Sequence, residues 1–396
     1  PIEDQGYCFV NVQLPDAASV SRTKEVVDKL AGIIEADERI TSVTAVRGYS
    51  VLSAAGQSNS ATLFIEMAPW DEREGLENTV FAIAQLINTQ ARELVPQAQV
   101  FAMTPPAIPG MGAVGGLEFV LQDTLGRSYS DLAGVVQNMA VDGNQHPALA
   151  DVFSSFRANV PQFFVDVDRV KAKNLGIPLS DIFGTLQAQL GSMYINDFNL
   201  LGQTYQVVMM AESSFREDLK DIDRFYVRTA SNQMIPLSTL VSLRPVMGPD
   251  IATRYNLFRS ASIRGAAAPG YSSGQAIKAF EEVAAKNLPD GYRFEWTGMT
   301  FQEIKAGNMA IYAFAFALIF IYLFLVAQYE SWSMPLAIIL VVPIAAAGAV
   351  GGLLLTGIAF NLYAQIGLVL LIGMAAKNAI LIIEFAVENM HSGMSI

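Results

Sequence analysis

Cysteine is nearly absent from this sequence. Cys8 is the only one in 396 residues, which excludes a disulfide within the chain, and with two histidines it supplies too few donors for a resident metal cage. The lone thiol sits in a strand-like stretch and reads as a small buried hydrophobe. Positive charge is also scarce. Lys and Arg number 25 against 37 Asp and Glu, a formal net charge of −12, and no basic stripe gathers them, so a nucleic-acid partner lacks the face it would need. No nucleophile elbow, phosphate loop or pair of catalytic carboxylates appears, so nothing points to an enzyme. Asp166 and Asp168 alternate with apolar residues and read as a solvated strand face. The chain opens at Pro1 without a signal peptide or a preceding apolar span and stops just past a helix, at His391-Ser392-Gly393. It reads as a fragment with neighbours missing on both sides.

What is abundant is apolar surface. Hydrophobic residues make up 52% of the chain, too many for an ordinary soluble protein. Lys and Arg are scattered through residues 1–306, after which only Lys377 remains; between Ala306 and Lys377 the one charged residue is Glu330. A hydrocarbon core of about 30 Å takes about 20 apolar residues to cross, and three helices fit, at about 308–328, 334–356 and 362–388. Tyr329-Glu330-Ser331-Trp332-Ser333 reads as a membrane-surface turn, with Pro335 opening the second helix and Gly357 to Asn361 turning into the third. Gly348 and Gly352 carry the Gly-x-x-x-Gly spacing and predict close helix packing. The loops hold no Lys or Arg, so charge bias does not orient the bundle.

Lys377 stands well inside the third helix, where an unpaired charge costs on the order of 3 kcal/mol. Its side chain lies over the turn containing Gly373, leaving room for a carboxylate on a neighbouring helix. The functional reading is a switchable ion pair: protonating the facing acid removes the counter-charge, and the lysine must shift. A snorkelling lysine or a static structural pair is the plainer alternative. No carboxylate of this chain matches its depth, so the acid would belong to the missing part.

Residues 1–109 predict a βαββαβ sandwich: Tyr7 to Leu14, Ser19 to Asp37, Thr41 to Val46, Ala61 to Met67, Leu76 to Glu93 and Ala98 to Ala102. The pattern recurs in split form over 110–156 and 254–300, which makes 157–253 an inserted domain; 306–396 are the membrane helices. The insertion predicts a strand from Phe163 to Asp168, a helix broken by Pro178, a strand from Tyr194 to Phe198 and a hairpin-like stretch from Tyr205 to Met210. The loop Arg47 to Ser60, with Tyr49, Val51 and Leu52 exposed, reads as a mobile, sticky flap or as a merely floppy hairpin. Met103 to Gly116 reads as a linker between the sandwiches, where a cleft for a ligand could open. Phe9, Asn11 and Gln13 alternate opposite Cys8, Val10 and Val12; with Phe101 and Met103 near, that mixed face suits amphipathic guests or is a partly solvated sheet surface.

Several segments carry a likeness. Asp4-Gln5-Gly6 with Gln13-Leu14-Pro15, Tyr194-Ile-Asn-Asp197-Phe198, Ala267-Ala-Pro-Gly270, Trp296-Thr-Gly-Met299, Tyr329-Glu-Ser-Trp332 and Gly373-Met-Ala-Ala-Lys377-Asn-Ala-Ile-Leu381 resemble the hydrophobe/amphiphile exporters of the resistance-nodulation-division family, along the whole chain and in the right order. The resemblance implies an α+β periplasmic region of ferredoxin-like porter subdomains with an inserted docking domain, followed by the eighth to tenth membrane helices. It implies a homotrimer in the bacterial inner membrane, no cofactor beyond the proton motive force, a periplasmic adaptor, an outer-membrane channel, and export of hydrophobic or amphiphilic compounds against protons.

By position, Lys377 matches the relay lysine. Phe9, Asn11, Gln13, Leu63, Phe101 and Met103 match pocket-lining places, and Arg157 a weaker one. Arg47 to Ser60 matches the switch loop, in which Tyr49 and Val51 stand where familiar members are rich in phenylalanine; that departure reduces aromatic stacking. Two rival readings are a metal-ion exporter of the same superfamily, for which adjoining Met209 and Met210 are the only hint and read instead as core, and a non-transporting membrane-anchored assembly module, which would tolerate loss of Lys377.

Overall fold

A computed structural model describes residues 3–358, 360 and 362–393, without the side chains of 306, 308–311, 313, 314, 362 and 391. The first layer is built from β1 (Tyr7–Gln13), α1 (Val20–Glu35), β2 (Ile40–Ser50), β3 (Ala55–Met67), α2 (Val80–Leu94) and β4 (Gln99–Met103). The four strands form one antiparallel sheet in the order β2-β3-β1-β4. Both helices begin where a hydroxyl caps them: the Ser19 side chain accepts from the Arg22 amide and that of Thr79 from the Ala82 amide. Their apolar stripes, Val26, Val27, Leu30 and Ile34 on α1 and Val80, Ile83 and Ile87 on α2, close over Cys8, Val10, Val12, Leu63 and Ile65 in a single core. Burial pushes the Cys8 thiol up to about 12.

The second layer repeats the plan. It consists of β5 (Leu117–Asp123), α3 (Tyr129–Gln145) and β6 (Leu149–Phe153). After an insertion containing two α-helices and six strands come β13 (Thr253–Tyr255), β14 (Phe258–Ala267), α6 (Ser273–Asn287) and β15 (Tyr292–Trp296). Here β5 lies between β14 and β15, and β6 pairs with the far edge of β14. The sequence pattern predicts this strand from Asp151 to Phe156, and β6 starts two residues earlier, at Leu149, and ends at Phe153. Setting aside the short β13, which pairs with β14 on the same side as β6, the strands of both layers lie in the chain order second, third, first, fourth. The second-to-third connection is a turn at residues 51–54 in one layer and the whole insertion in the other. Leu117, Phe119 and Leu121 meet Leu132, Val136, Met139, Phe280 and Val283 in a core of their own.

The insertion, Asn159–Gly248, is a separate compact unit. Its elements are β7 (Val160–Val167), α4 (Arg169–Asn174), α5 (Leu179–Leu186), β8 (Met193–Leu200), β9 (Gln203–Met209), β10 (Tyr226–Arg228), β11 (Met234–Pro236) and β12 (Val241–Gly248). Its first and last strands, β7 and β12, pair along their full length and form a neck. Ile182, Leu186, Phe225, Val227 and Leu237 fill its core. Two expectations need correcting. Asp168 does not end a strand; its carboxylate accepts from the Lys171 amide at 2.9 Å and caps α4. Met209 and Met210 are not core residues: they are 47% and 46% exposed, because the β8–β9 ribbon has no layer packed over either face among the described residues.

Among the described residues four helices follow: α7 (Gly298–Tyr329), α8 (Met334–Ile339), α9 (Val341–Thr356) and α10 (Leu362–His391). Met334–Thr356 and Tyr363–Met390 are long and apolar enough to cross a membrane, and only 6% and 11% of their apolar windows are buried within the chain. They are therefore not the core helices of a soluble fold. In α7 the described apolar stretch runs from Ala315 to Tyr329, and the helix starts earlier than expected, at Gly298, joined to the second sheet by the Thr297 amide donating to the Glu118 carbonyl. The break between α8 and α9 falls at Leu340, where Pro343 removes the amide that would have bonded Ile339. Gly357, with φ +67°, ends α9. Ala359 and Asn361 of the expected turn lie outside the described residues. Leu325, Ile338 and Ala379 pack α7, α8 and α10 together. Gly348 and Gly352 are not at that contact: no described atom comes within 4 Å of where a Cβ would stand on either.

Candidate functional site

The outer face of the first sheet gathers most of the residues that the sequence singles out. Register sets Asn11 opposite Phe101 and Phe9 opposite Met103, so β1 and β4 bring the four side by side, with Gln13 next along β1. Phe9 meets Tyr7 and Phe64 edge to face, at 5.6 and 5.3 Å between ring centres. Leu63 does not belong here. It pairs with Val10, points to the helices and is fully buried, because strand alternation puts it on the core side.

The segment Arg47 to Ser60 is the end of a paired β-hairpin rather than an open loop. Pairing of Tyr49 with Gly56 and Ser50 with Ala55 carries the hairpin to a four-residue turn, and the register shift after Arg47 leaves a bulge on β3. That bulge folds the tip back over the mixed face. The Ser50 hydroxyl donates to Asn11 Oδ1 at 3.0 Å. The Val51 amide donates to Thr62 Oγ1 at 3.0 Å, and the Thr62 hydroxyl donates to the Tyr49 carbonyl at 3.2 Å. Leu52 is 5% exposed and Asn11 2%, so neither is open to a guest in this conformation; Tyr49 and Val51 are half-buried. Gln13 is tied to the bulge, accepting from the Ser60 hydroxyl at 2.6 Å and donating to the Asn59 carbonyl at 3.2 Å.

This face meets the second layer at one seam. Phe101 stacks on Phe153 with ring centres 5.0 Å apart and planes at 8°. Four residues further on, Arg157 places its two terminal nitrogens on different carboxylates, Nη1 on Asp16 and Nη2 on Asp250, the latter at 2.8 Å. Both terminal nitrogens of its guanidinium thus face carboxylates of the protein itself. Asp250 also accepts from the Gln57 side-chain amide. Asp16, Gln57 and Asp250 carry no sequence signal, since Asp after proline and Gln in a polar stretch look like ordinary turn residues.

Lys377 lies elsewhere, on α10. Ile372, Ala376 and Ala379 form the buried side of that helix, and Lys377 is exposed on another side. Among the described residues no carboxylate pairs with it, and no atom approaches a Cβ built on Gly373, one turn before.

The AcrB/AcrD/AcrF family model matches residues 1–396. The toluene efflux pump membrane transporter TtgB of Pseudomonas putida is 38% identical over 398 residues, covering 100% of this chain and 37% of the relative. The multidrug export protein AcrF of Escherichia coli is 36% identical, covering 99% of this chain and 38% of its own, and the Escherichia coli multidrug resistance protein MdtF is 37% identical, with 99% and 38% covered. The chain therefore spans under two fifths of the curated relatives it matches. With its sheets, its apolar helices and its motif order all accounted for, it belongs to the AcrB/AcrD/AcrF family of resistance-nodulation-division efflux transporters.

Proposed function

We propose that this chain is the second periplasmic loop and the following three membrane helices of a proton-driven exporter of hydrophobic and amphiphilic compounds. In this reading the parent protein sits as a homotrimer in the bacterial inner membrane and works with a periplasmic adaptor and an outer-membrane channel. The two layers are ferredoxin-like porter subdomains, a reading supported by their common strand order with both helices on one face. Asn159–Gly248 is the docking domain, and the membrane helices couple proton entry to opening of the cleft between the layers. Phe9, Gln13, Phe101 and Met103 contact guests when the seam at Phe101 and Phe153 parts; Asn11, Tyr49 and Val51 join them when the hairpin tip lifts.

One observation carries the coupling. Lys377 is a cation in the middle of an apolar helix, exposed on its own chain and without a carboxylate partner among the described residues. A charge at that depth needs an acid from elsewhere in the parent polypeptide, and an acid that binds and releases protons makes the pair a switch. In the full-length protein, Lys377→Ala is expected to leave folding and trimer formation intact and to abolish export of hydrophobic dyes. The check is dye accumulation in cells, alongside size-exclusion chromatography of the purified variant. Retained export would reject the relay role.

A further inference from the structure

We infer that Arg157 is a clasp: bridging Asp16 and Asp250, it holds the seam between the two layers shut and ties that closure to the hairpin tip over Asn11. This rests on the reading of the seam as the place where guests enter. Asp16 belongs to the β1–α1 loop of the first layer, whereas Arg157 and Asp250 flank the insertion on the second, their backbones joined by the Asp250 amide donating to the Arg157 carbonyl at 3.2 Å. The acceptor site is stiff. The Ser58 hydroxyl donates to the Ala18 carbonyl at 3.0 Å, the Thr23 hydroxyl to the Ser58 carbonyl at 2.7 Å, and the Asn59 side chain to the Leu14 carbonyl at 3.2 Å, which stitches the Asp16 loop to the β3 bulge.

The seam has two kinds of contact. The stacked Phe101 and Phe153 rings have no directional bond to break and separate or slide readily, whereas the Arg157 bridges are charge-assisted and directional. The side chains of Arg157, Asp16 and Asp250 are 27%, 27% and 25% exposed, sheltered enough to hold and wet enough to release without stranding a charge. From Asp250 the link continues to Gln57, whose Oε1 accepts from the Ser60 hydroxyl at 3.0 Å and from the Ser53 hydroxyl, within the tip, at 3.3 Å. Opening the seam therefore also removes a support of the tip.

The test uses the full-length transporter in lipid nanodiscs, with spin labels on Val20→Cys and Ser155→Cys, exposed positions on the two sides of the seam. Cys8, buried and with its thiol pushed up to about 12, stays unlabelled. Losing one charge-assisted bridge shifts the open-to-closed ratio by about tenfold. Asp16→Asn, which keeps shape and removes charge, and Arg157→Gln are both expected to move the distance distribution to longer values. Gln57→Ala, which removes a weaker bridge to Asp250, is expected to lengthen that distance less than either charge removal and to speed hydrogen exchange at residues 47–60. A distribution unchanged in both Asp16→Asn and Arg157→Gln, with thermal midpoints showing the proteins folded, overturns the clasp. Dye export is measured on the same samples. Export by the wild type with no label response sinks the clasp and spares the transport reading; a label response without export in the wild type supports the clasp and sinks the transport reading.

Discussion

At Asp4 five donors converge on one carboxylate: the amides of Gly6 and Val80, both terminal nitrogens of Arg73, and more distantly the Trp70 indole. Burial alone would raise its pKa, but the Arg73 hydrogen bonds, the two amides and the Arg73 charge hold it well below the usual carboxylate range. The Arg73 side chain is 2% exposed, so removing its partner leaves a buried cation. Asp4→Asn is expected to cost about 3 kcal/mol of stability. Because the folded pKa lies below the unfolded value of about 3.9, the contribution is complete above that pH and fades as pH falls through the lower folded value. Unfolding midpoints of wild type and Asp4→Asn, followed from neutral to acid pH, should therefore converge only in acid. A gap that persists there would mean Asp4 acts through something other than its charge.

The elements are held together by contacts with little slack. Gly265 on β14 sits under the α6 ring of Phe280: a Cβ there would lie 2.8 Å from Phe280 Cζ and 3.2 Å from Val152 Cγ2. Gly265→Ala is expected to destabilise the second layer by about 1–3 kcal/mol through overpacking. Combining it with Phe280→Leu should cost less than the sum of the two single changes, because the smaller side chain vacates the space. Denaturant midpoints of the two single variants and the double decide this, and strict additivity would show that the ring is not what Gly265 accommodates. The hairpin of β2 and β3 illustrates the same principle from the other side, since a bulge rather than a loop places its tip.

For the whole molecule, the repeated strand order leaves one connection free for elaboration, and the insertion uses it. With β7 and β12 paired as a neck and a core around Ile182 and Leu237, Asn159–Gly248 has what an independent small domain needs. Expressed alone, it is expected to melt cooperatively, with a stability of a few kcal/mol given its small core. Calorimetry or circular dichroism would show this; a featureless, gradual melt would mean that it depends on the rest of the chain.

The periodicity of apolar residues was enough to place β1, α1 and α2, because their stripes are local and each faces one core. The charge desert after residue 306 marked the apolar helices for the same reason: lipid solvation acts residue by residue. What depended on distant partners was not legible. The hairpin tip bends over Asn11 because Ser50 meets a side chain 39 positions away. Arg157 became a bridge because Asp16 and Asp250 arrive from 141 and 93 positions off. Leu63 went to the core through register alone, and Met209 and Met210 stayed exposed because no second layer covers their ribbon. Local pattern selects an element and its faces; which groups meet across the fold is decided only when the strands have paired and the layers have closed.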